Sequence, residues 1–265
     1  MTDATAVLDP GNWVELDHPA PGVWRLTLNR AGNFNALSSE MMTALHAALM
    51  GAGQAPDCRV VVLAARGKAF CAGHDLREML SLSDMAAYQV LFAQCSRLML
   101  AIQTLPQPVV AQVQGMATAA GCQLVGVCDL AVAADSAQFA VSGIRHGLFC
   151  ATPSVALSRN MHRKQAMEML LTGEFIDAET AVSRGLVNRA VPADQLASAV
   201  LDLCASIVAK PEPAVRMGKA LFYRQLELGQ AAAYELAGQT MACNMLEPSA
   251  REGFQAFLEK RTPQW

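Results

Sequence analysis

VQGMATAAGCQLVGVCDLAVAADSAQFA, residues 113–140, decides the fold. It holds a glycine- and alanine-rich turn that opens an apolar helix, and two short strand patterns, DLAVAA and AQFAVSG, follow that helix. Gly and Ala at the mouth of a helix leave backbone N–H groups free and reachable by a ligand. The same order of strand, turn and helix occurs earlier in the chain. RVVVLAA (59–65) is a short, wholly apolar strand of the kind buried on both faces, and GKAFCAGHDLREML (67–80) passes from a glycine-containing loop into a helix. Two such units predict an α/β protein with two anion-accepting turns, one near Gly73 and one near Gly121.

Outward from that centre, residues 13–28 alternate apolar and polar around Pro19, Pro21 and Gly22 and read as a hairpin. Ser38 or Ser39 caps a helix that carries Met41, Leu45 and Leu49 on one face. Asp84 to Leu105 reads as a longer helix ended by Pro106 and Pro108, and PVVAQVQG (108–115) as the next strand. From Ala151 onward strand signals fade. Asp177 opens a further helix, the last 65 residues read as all-helical, and Ser249 with Glu252 reads as a capping box before GFQAFLEKR. Those last helices carry apolar residues on more than one face, which suits either a subunit interface or a well-covered intrachain helix.

Composition narrows the partners. The 265 residues are 53% hydrophobic and 16% charged, which excludes intrinsic disorder. Twenty basic against twenty-three acidic side chains leave a net charge of -3, so no broad cationic field exists for a nucleic acid. The longest uncharged stretch, Leu98 to Cys128, holds two prolines and three glycines and reads as buried interior rather than a membrane span. The opening MTDATAVLDPGNW (1–13) has no leader character, so a cytoplasmic location is expected. None of the 8 cysteines forms a CxxC pair. Small buried thiols are therefore expected, with neither a disulfide framework nor a metal site.

If the N–H groups of His74 and Ala120 converge, they can hold a developing oxyanion, with the helix opening near Ala120 adding its dipole. Several segments carry a resemblance that gives this pairing a meaning. AFCAGHDLREM (69–79), preceded by RVVVLAARGK, and residues 113–140 resemble the two signature segments of the enoyl-CoA hydratase/isomerase (crotonase) superfamily. NRAGNFNALS (29–38) is similar to its first coenzyme A loop, residues 170–192 to its shared helical region, and EGFQAFLEKR (252–261) to its C-terminal helix. GHDLRE, AAGCQL, GLFCATPSVALSR and KRTPQW are most similar to the hydratase domain-containing branch of that superfamily.

The resemblance implies a spiral of repeated β-β-α units over residues 1–198 and a helical trimerisation region over 199–265, assembled as a homotrimer or homohexamer. It implies an acyl-coenzyme A thioester as ligand, with no cofactor beyond the coenzyme A moiety and no metal. The thioester carbonyl would accept from the backbone N–H groups of His74 and Ala120. Ala36, Leu37, Ala72, Asp75 and Leu76 would line the adenine and pantetheine path, and Phe257 and Lys260, supplied by a neighbouring subunit, would complete it.

Departures from the family pattern bear on activity. A hydratase of this family uses two glutamates, and their positions here hold Gln123 and Gly143. Glutamine exchanges no proton near neutral pH and glycine has no side chain. Loss of one general acid–base group costs about 10²- to 10⁴-fold. No Asp or Glu occurs between Asp135 and Glu168, so no small shift of register supplies the second carboxylate. His146, three residues after Gly143, is the first candidate for a substitute base; a histidine satisfied at a surface turn is the alternative. The His74 ring is a candidate to meet an anionic group and Arg145 a carboxylate or phosphate, and Cys150 is a nucleophile only if a base lies near it. Two functions stay open: a nominal enoyl-CoA hydratase of fatty-acid metabolism, or an isomerase or decarboxylase with another proton donor, and a catalytically inactive acyl-CoA-binding protein. The second predicts that Gln123→Glu with Gly143→Glu restores hydration.

Overall fold

Gly22, at φ 75°, turns the first hairpin, in which β1 (Val14–Ala20) runs antiparallel to β2 (Val23–Leu28). The computed structural model describes residues 12–265, so the expectation resting on residues 1–11 lies outside the described residues. Ser38 caps α1 (Ser39–Gln54), its Oγ accepting from the Met41 N–H at 3.3 Å. Buried Met41, Met42, Leu45 and Leu49 turn that helix onto the hairpin.

From there the chain winds through a spiral. Each turn adds one strand to a six-stranded sheet and the next to a four-stranded one, then continues into helix. β3 (Val60–Ala65) and β4 (Ala69–Cys71) lead to α2 (Leu76–Ser81) and α3 (Met85–Thr104). β5 (Val109–Val113) and β6 (Met116–Thr118) lead to α4 (Ala120–Val127), and β7 (Leu130–Ala134) and β8 (Gln138–Ala140) lead to α5 (Ala151–Asn160). Strands β2, β3, β5 and β7 are parallel neighbours, as are β4, β6 and β8. This is the expected spiral of β-β-α units.

The strand signals do not end at Ala151. β9 (Ile176–Asp177) pairs with β8 and β10 (Arg189–Val191) with β7, separated by α6 (Arg163–Thr172) before them and α7 (Ala178–Ser183) between them. Two and three residues are too few to show an alternation, which is why their sequence reads as loop. Asp177 does cap α7, accepting from the Thr180 N–H at 2.8 Å.

The apolar run of β3 is buried on both faces as read. Val61 and Leu63 join the core under α1 and α3, while Val60, Val62 and Ala64 pack beneath Leu196, Val200 and Cys204 of α8 (Leu196–Val208). The 198/199 boundary therefore falls inside a helix that covers the sheet. The helices standing beyond it are α9 (Glu212–Leu226), α10 (Gln230–Leu246) and α11 (Pro248–Leu258). One buried latch ties them to the core: Lys219 Nζ donates to Asp129 Oδ2 at 2.7 Å and to the carbonyls of Ile102 and Gln107, and Tyr223 Oη donates to Asp129 Oδ1 at 2.8 Å. Asp129 thus serves structurally.

The capping box at Ser249 is not formed. Pro248, with its φ already set for a helix, starts α11 two residues earlier than a Ser249 cap would, and Glu252 instead pairs with Arg261. The stretch Leu98–Cys128 is divided among α3, β5, β6 and α4 and lies inside the fold. Among the described helices α3 alone is long and apolar enough to cross a bilayer, and its Leu91, Cys95, Leu98 and Ile102 are buried in the core. All eight cysteines are free and all but Cys243 are buried.

Candidate active site

Two glycines let the two turns touch backbone to backbone. A Cβ at Gly73, where φ is 93°, would lie 2.9 Å from Ala119 Cβ and 3.2 Å from Ala120 N. One at Gly121 would fall on the carbonyl oxygen of Cys71. Ala119 takes φ 50° at the mouth of α4, a region costly for a residue with a Cβ, and Ala120 is the first residue of the helix it opens. On the other turn, the Leu37 N–H donates to Gly73 O at 2.7 Å and the Asp75 N–H to Leu37 O at 3.2 Å. That pairing does not use the His74 N–H, and His74 and Ala120 both line one cavity.

The loop of residues 29–38 is held by a residue the sequence reading passed over. Asn35, fully buried at φ 54°, accepts from the Arg30 N–H at 2.9 Å and donates to the carbonyls of Arg66 and Ala69. Its sign was the Asn in an NFNAL loop, a residue tolerant of left-handed φ that bonds to nearby backbone.

The cavity holds about 320 Å³. Its walls are mostly apolar: Leu76 and Met79 from α2, Phe92 from α3, and Leu148, Phe149 and Pro153 around the start of α5. Thr118 and Ser142 face it as a hydroxyl pair 2.7 Å apart, a feature absent from the sequence reading because the two residues lie 24 positions apart. The His74 ring meets Phe92 edge-on at 5.5 Å, and its Nε2 is buried with no partner. Burial pushes the imidazole down to about 4, so it is neutral at pH 7. His146 lines the cavity from an exposed position. Burial raises the Cys150 thiol, against a hydrogen bond from the Gly143 N–H, so it is a poor nucleophile. Among the described residues, no Asp, Glu, Lys or Arg lines this cavity.

The two positions that carry glutamates in a hydratase are accounted for separately. A Cβ at Gly143 would lie 2.7 Å from both Leu148 O and Cys150 Sγ, so the turn has no room for a side chain. Gln123, on α4 one turn beyond Ala120, is 4% exposed, and its Oε1 has no partner. It lines an adjoining pocket, and Thr152 is common to that pocket and the main cavity.

Of the residues assigned to the coenzyme A path, Ala72 and Leu76 line the cavity. Ala36 and Leu37 are buried beside it, the Leu37 side chain wholly in the core. Asp75 caps α2 and pairs with Arg30 at 3.3 Å. Phe257, 81% exposed on α11, and Lys260 beyond it are not brought to the cavity within one chain. Arg145 lies with its aliphatic stem over Gly173, outside the cavity lining.

Comparison with known proteins agrees with this geometry. The family model described as enoyl-CoA hydratase/isomerase matches residues 19–265. The human protein named enoyl-CoA hydratase domain-containing protein 3, mitochondrial, is 40% identical over 92% of this chain and 80% of its own length. Its crystal structure superposes with TM-score 0.92, at 39% identity, covering 96% of this chain and 100% of that one. A crystal structure titled enoyl-CoA hydratase, from Mycobacterium smegmatis, is 57% identical, with TM-score 0.94, over 97% of this chain and 99% of that one. With its spiral of β-β-α units, its paired turns and these matches, the chain belongs to the enoyl-CoA hydratase/isomerase (crotonase) superfamily.

Proposed function

We propose that the protein binds an acyl-coenzyme A thioester, its carbonyl oxygen accepting from the His74 and Ala120 N–H groups, and does not hydrate enoyl thioesters by the two-glutamate route. The single observation carrying this is the filled space at Gly143, where neither a carboxylate nor any other side chain fits. Backbone donors aimed at a carbonyl polarise it and stabilise enolate character whatever proton chemistry follows. The cavity walls suit an apolar acyl group. A malonyl-type ester fits poorly, because no cation lines the cavity to receive its carboxylate.

A second reading, residual turnover as a lyase or isomerase, is favoured by one observation. His146 is the one imidazole on the cavity wall left accessible to solvent, and imidazole is the side chain suited to proton exchange near neutrality. Crotonyl-CoA with purified protein, followed by mass spectrometry for addition of one water, separates the readings, with acyl-CoA binding measured by calorimetry alongside. The proposal expects binding without hydration at an enzymic rate. Wild-type turnover on the order of 1 to 10³ per second overturns it. Slow turnover lost in His146→Ala supports the second reading.

We also infer self-assembly, as a trimer or paired trimers, through α9–α11. Phe222, Leu226, Tyr234, Leu246 and Leu258 are each more than half exposed there, and apolar exposure on that scale fits an interface. Sedimentation equilibrium tests it, a monomer being the contrary result.

A further inference from the structure

Strands β6 and β8 are parallel neighbours with Thr118 opposite Ala140, and the Ala119 N–H donates to Ala140 O at 3.0 Å. That register brings Ser142, which opens the short helical turn Ser142–His146 after β8, beside Thr118, with the two hydroxyl oxygens 2.7 Å apart. Both residues line the main cavity, and only Ala119 separates Thr118 from Ala120 in the chain. The pair therefore stands close to the proposed thioester carbonyl, at the near end of any acyl group held there. Two hydroxyls carry two protons, and the bond between them uses one. Among the described residues neither hydroxyl has another partner, so whichever of them donates, the other keeps an O–H with no acceptor in the protein. A part-buried donor of that kind is completed by water or by a ligand atom that accepts.

We propose that the Thr118–Ser142 pair is a second oxygen-binding point of the acyl site, and that the preferred ligand is a 3-oxoacyl thioester whose ketone accepts from the spare hydroxyl. This rests on the acyl-thioester reading above. A ketone only accepts, which matches a point defined by a spare donor, and it is neutral like the cavity walls. Its carbon lies two bonds from the thioester carbonyl, as a point next to the His74 and Ala120 donors demands. Carbon 2 of such a ligand, flanked by two carbonyls, releases its proton to solvent with no help from a carboxylate at 123 or 143. The electron pair left behind spreads over both oxygens, each facing donors, and hydrogen bonds to a charged acceptor are roughly twice as strong as neutral ones. A hydroxyl on a saturated carbon 3 shares none of that charge. An unsubstituted chain leaves the spare O–H desolvated and unpaired, and a site built around a hydrogen bond discriminates against the analogue lacking it.

The test is calorimetric titration of the full-length protein near neutral pH with butanoyl-CoA, 3-hydroxybutanoyl-CoA and 3-oxobutanoyl-CoA, with the ultraviolet band of the 3-oxo enolate followed alongside. 3-Oxobutanoyl-CoA binds about tenfold more tightly than butanoyl-CoA, and its enolate band grows on binding. In Thr118→Val/Ser142→Ala the ratio falls to about one and the band no longer grows, whereas Thr118→Ser, which keeps a hydroxyl, retains both. If 3-oxobutanoyl-CoA and butanoyl-CoA bind within about twofold of each other, if the preference survives the double variant, or if 3-hydroxybutanoyl-CoA binds as tightly as the ketone, this inference is overturned while the acyl-thioester reading stands. If no thioester binds, both fall.

Discussion

Replacing Gly143 by alanine adds one methyl group where the chain leaves no space for it. The new carbon would sit 2.7 Å from the Leu148 carbonyl oxygen and from Cys150 Sγ, well inside the 3.5–4.0 Å at which non-bonded carbon contacts become favourable. The sulfur can rotate away; the carbonyl cannot. Leu148 donates its N–H back to Gly143 O at 3.0 Å and Gly147 donates to Ile144 O at 3.1 Å, so moving the carbonyl opens the turn. Overpacking of this kind costs roughly 1–3 kcal/mol, and the stiffer unfolded chain returns about 0.4–1 kcal/mol. Gly143→Ala should therefore lose about 1–2 kcal/mol. Cys150→Ala in the same background removes only the sulfur contact and recovers part of the loss. Urea unfolding at one fixed protein concentration measures both, since the stability of an assembled chain depends on concentration. A Gly143→Ala variant as stable as wild type would refute the reasoning. So would efficient hydration by Gln123→Glu/Gly143→Glu, because a glutamate at 143 reaches the cavity only if the turn is rebuilt.

Other consequences are separable. The unfolded chain protonates His74 near pH 6.5 while the folded imidazole stays neutral to about 4, so its contribution is present above pH 6.5 and lost as pH falls toward 4. The loss amounts to roughly 3 kcal/mol, and His74→Leu should flatten that share of the dependence of urea midpoints on pH between 7.5 and 4.5. Lys219→Met leaves Asp129 without its cation and should cost about 3–5 kcal/mol, visible as faster proteolysis of α9–α11; an unchanged cleavage pattern contradicts the latch. Asn35→Ala removes three hydrogen bonds at φ 54° and should cost about 2–4 kcal/mol while weakening acyl-CoA binding. Equal stability and affinity would show that the loop is held by other contacts.

What the sequence disclosed was whatever repeats or alternates over enough residues. RVVVLAA has no polar position, so burial on both faces was legible, and Gly73 and Gly121 marked the two turns because only a missing Cβ permits such an approach. β9 and β10 were not legible because pairing partners far along the chain, not local pattern, make them strands. The capping box failed because Pro248 offered a competing start two residues earlier. In the site, Gln123 and Gly143 could be read directly at the positions where the resemblance expects carboxylates. The closed space at Gly143, the Thr118–Ser142 pair and the turn of Gln123 toward a second pocket depend on packing between distant segments, and no spacing in the sequence encodes them.

The backbone at His74 and Ala120 and the side chains at 123 and 143 depend on different parts of the chain. The His74 and Ala120 N–H groups are positioned by backbone: the Leu37 pairing, the close approach at Gly73 and Gly121, and the conformation of Ala119. None of these involves the side chains at 123 or 143. The identity of the side chain at 123, on the buried α4, thus does not enter the backbone conformation at His74 and Ala120. Backbone donors also resist single substitutions, since every residue but proline carries the same N–H. On the proposed reading, thioester binding is the property maintained by the fold, and the fate of the bound acyl group is set by the few side chains around it. Here those are one neutral histidine, one solvent-facing histidine and a hydroxyl pair.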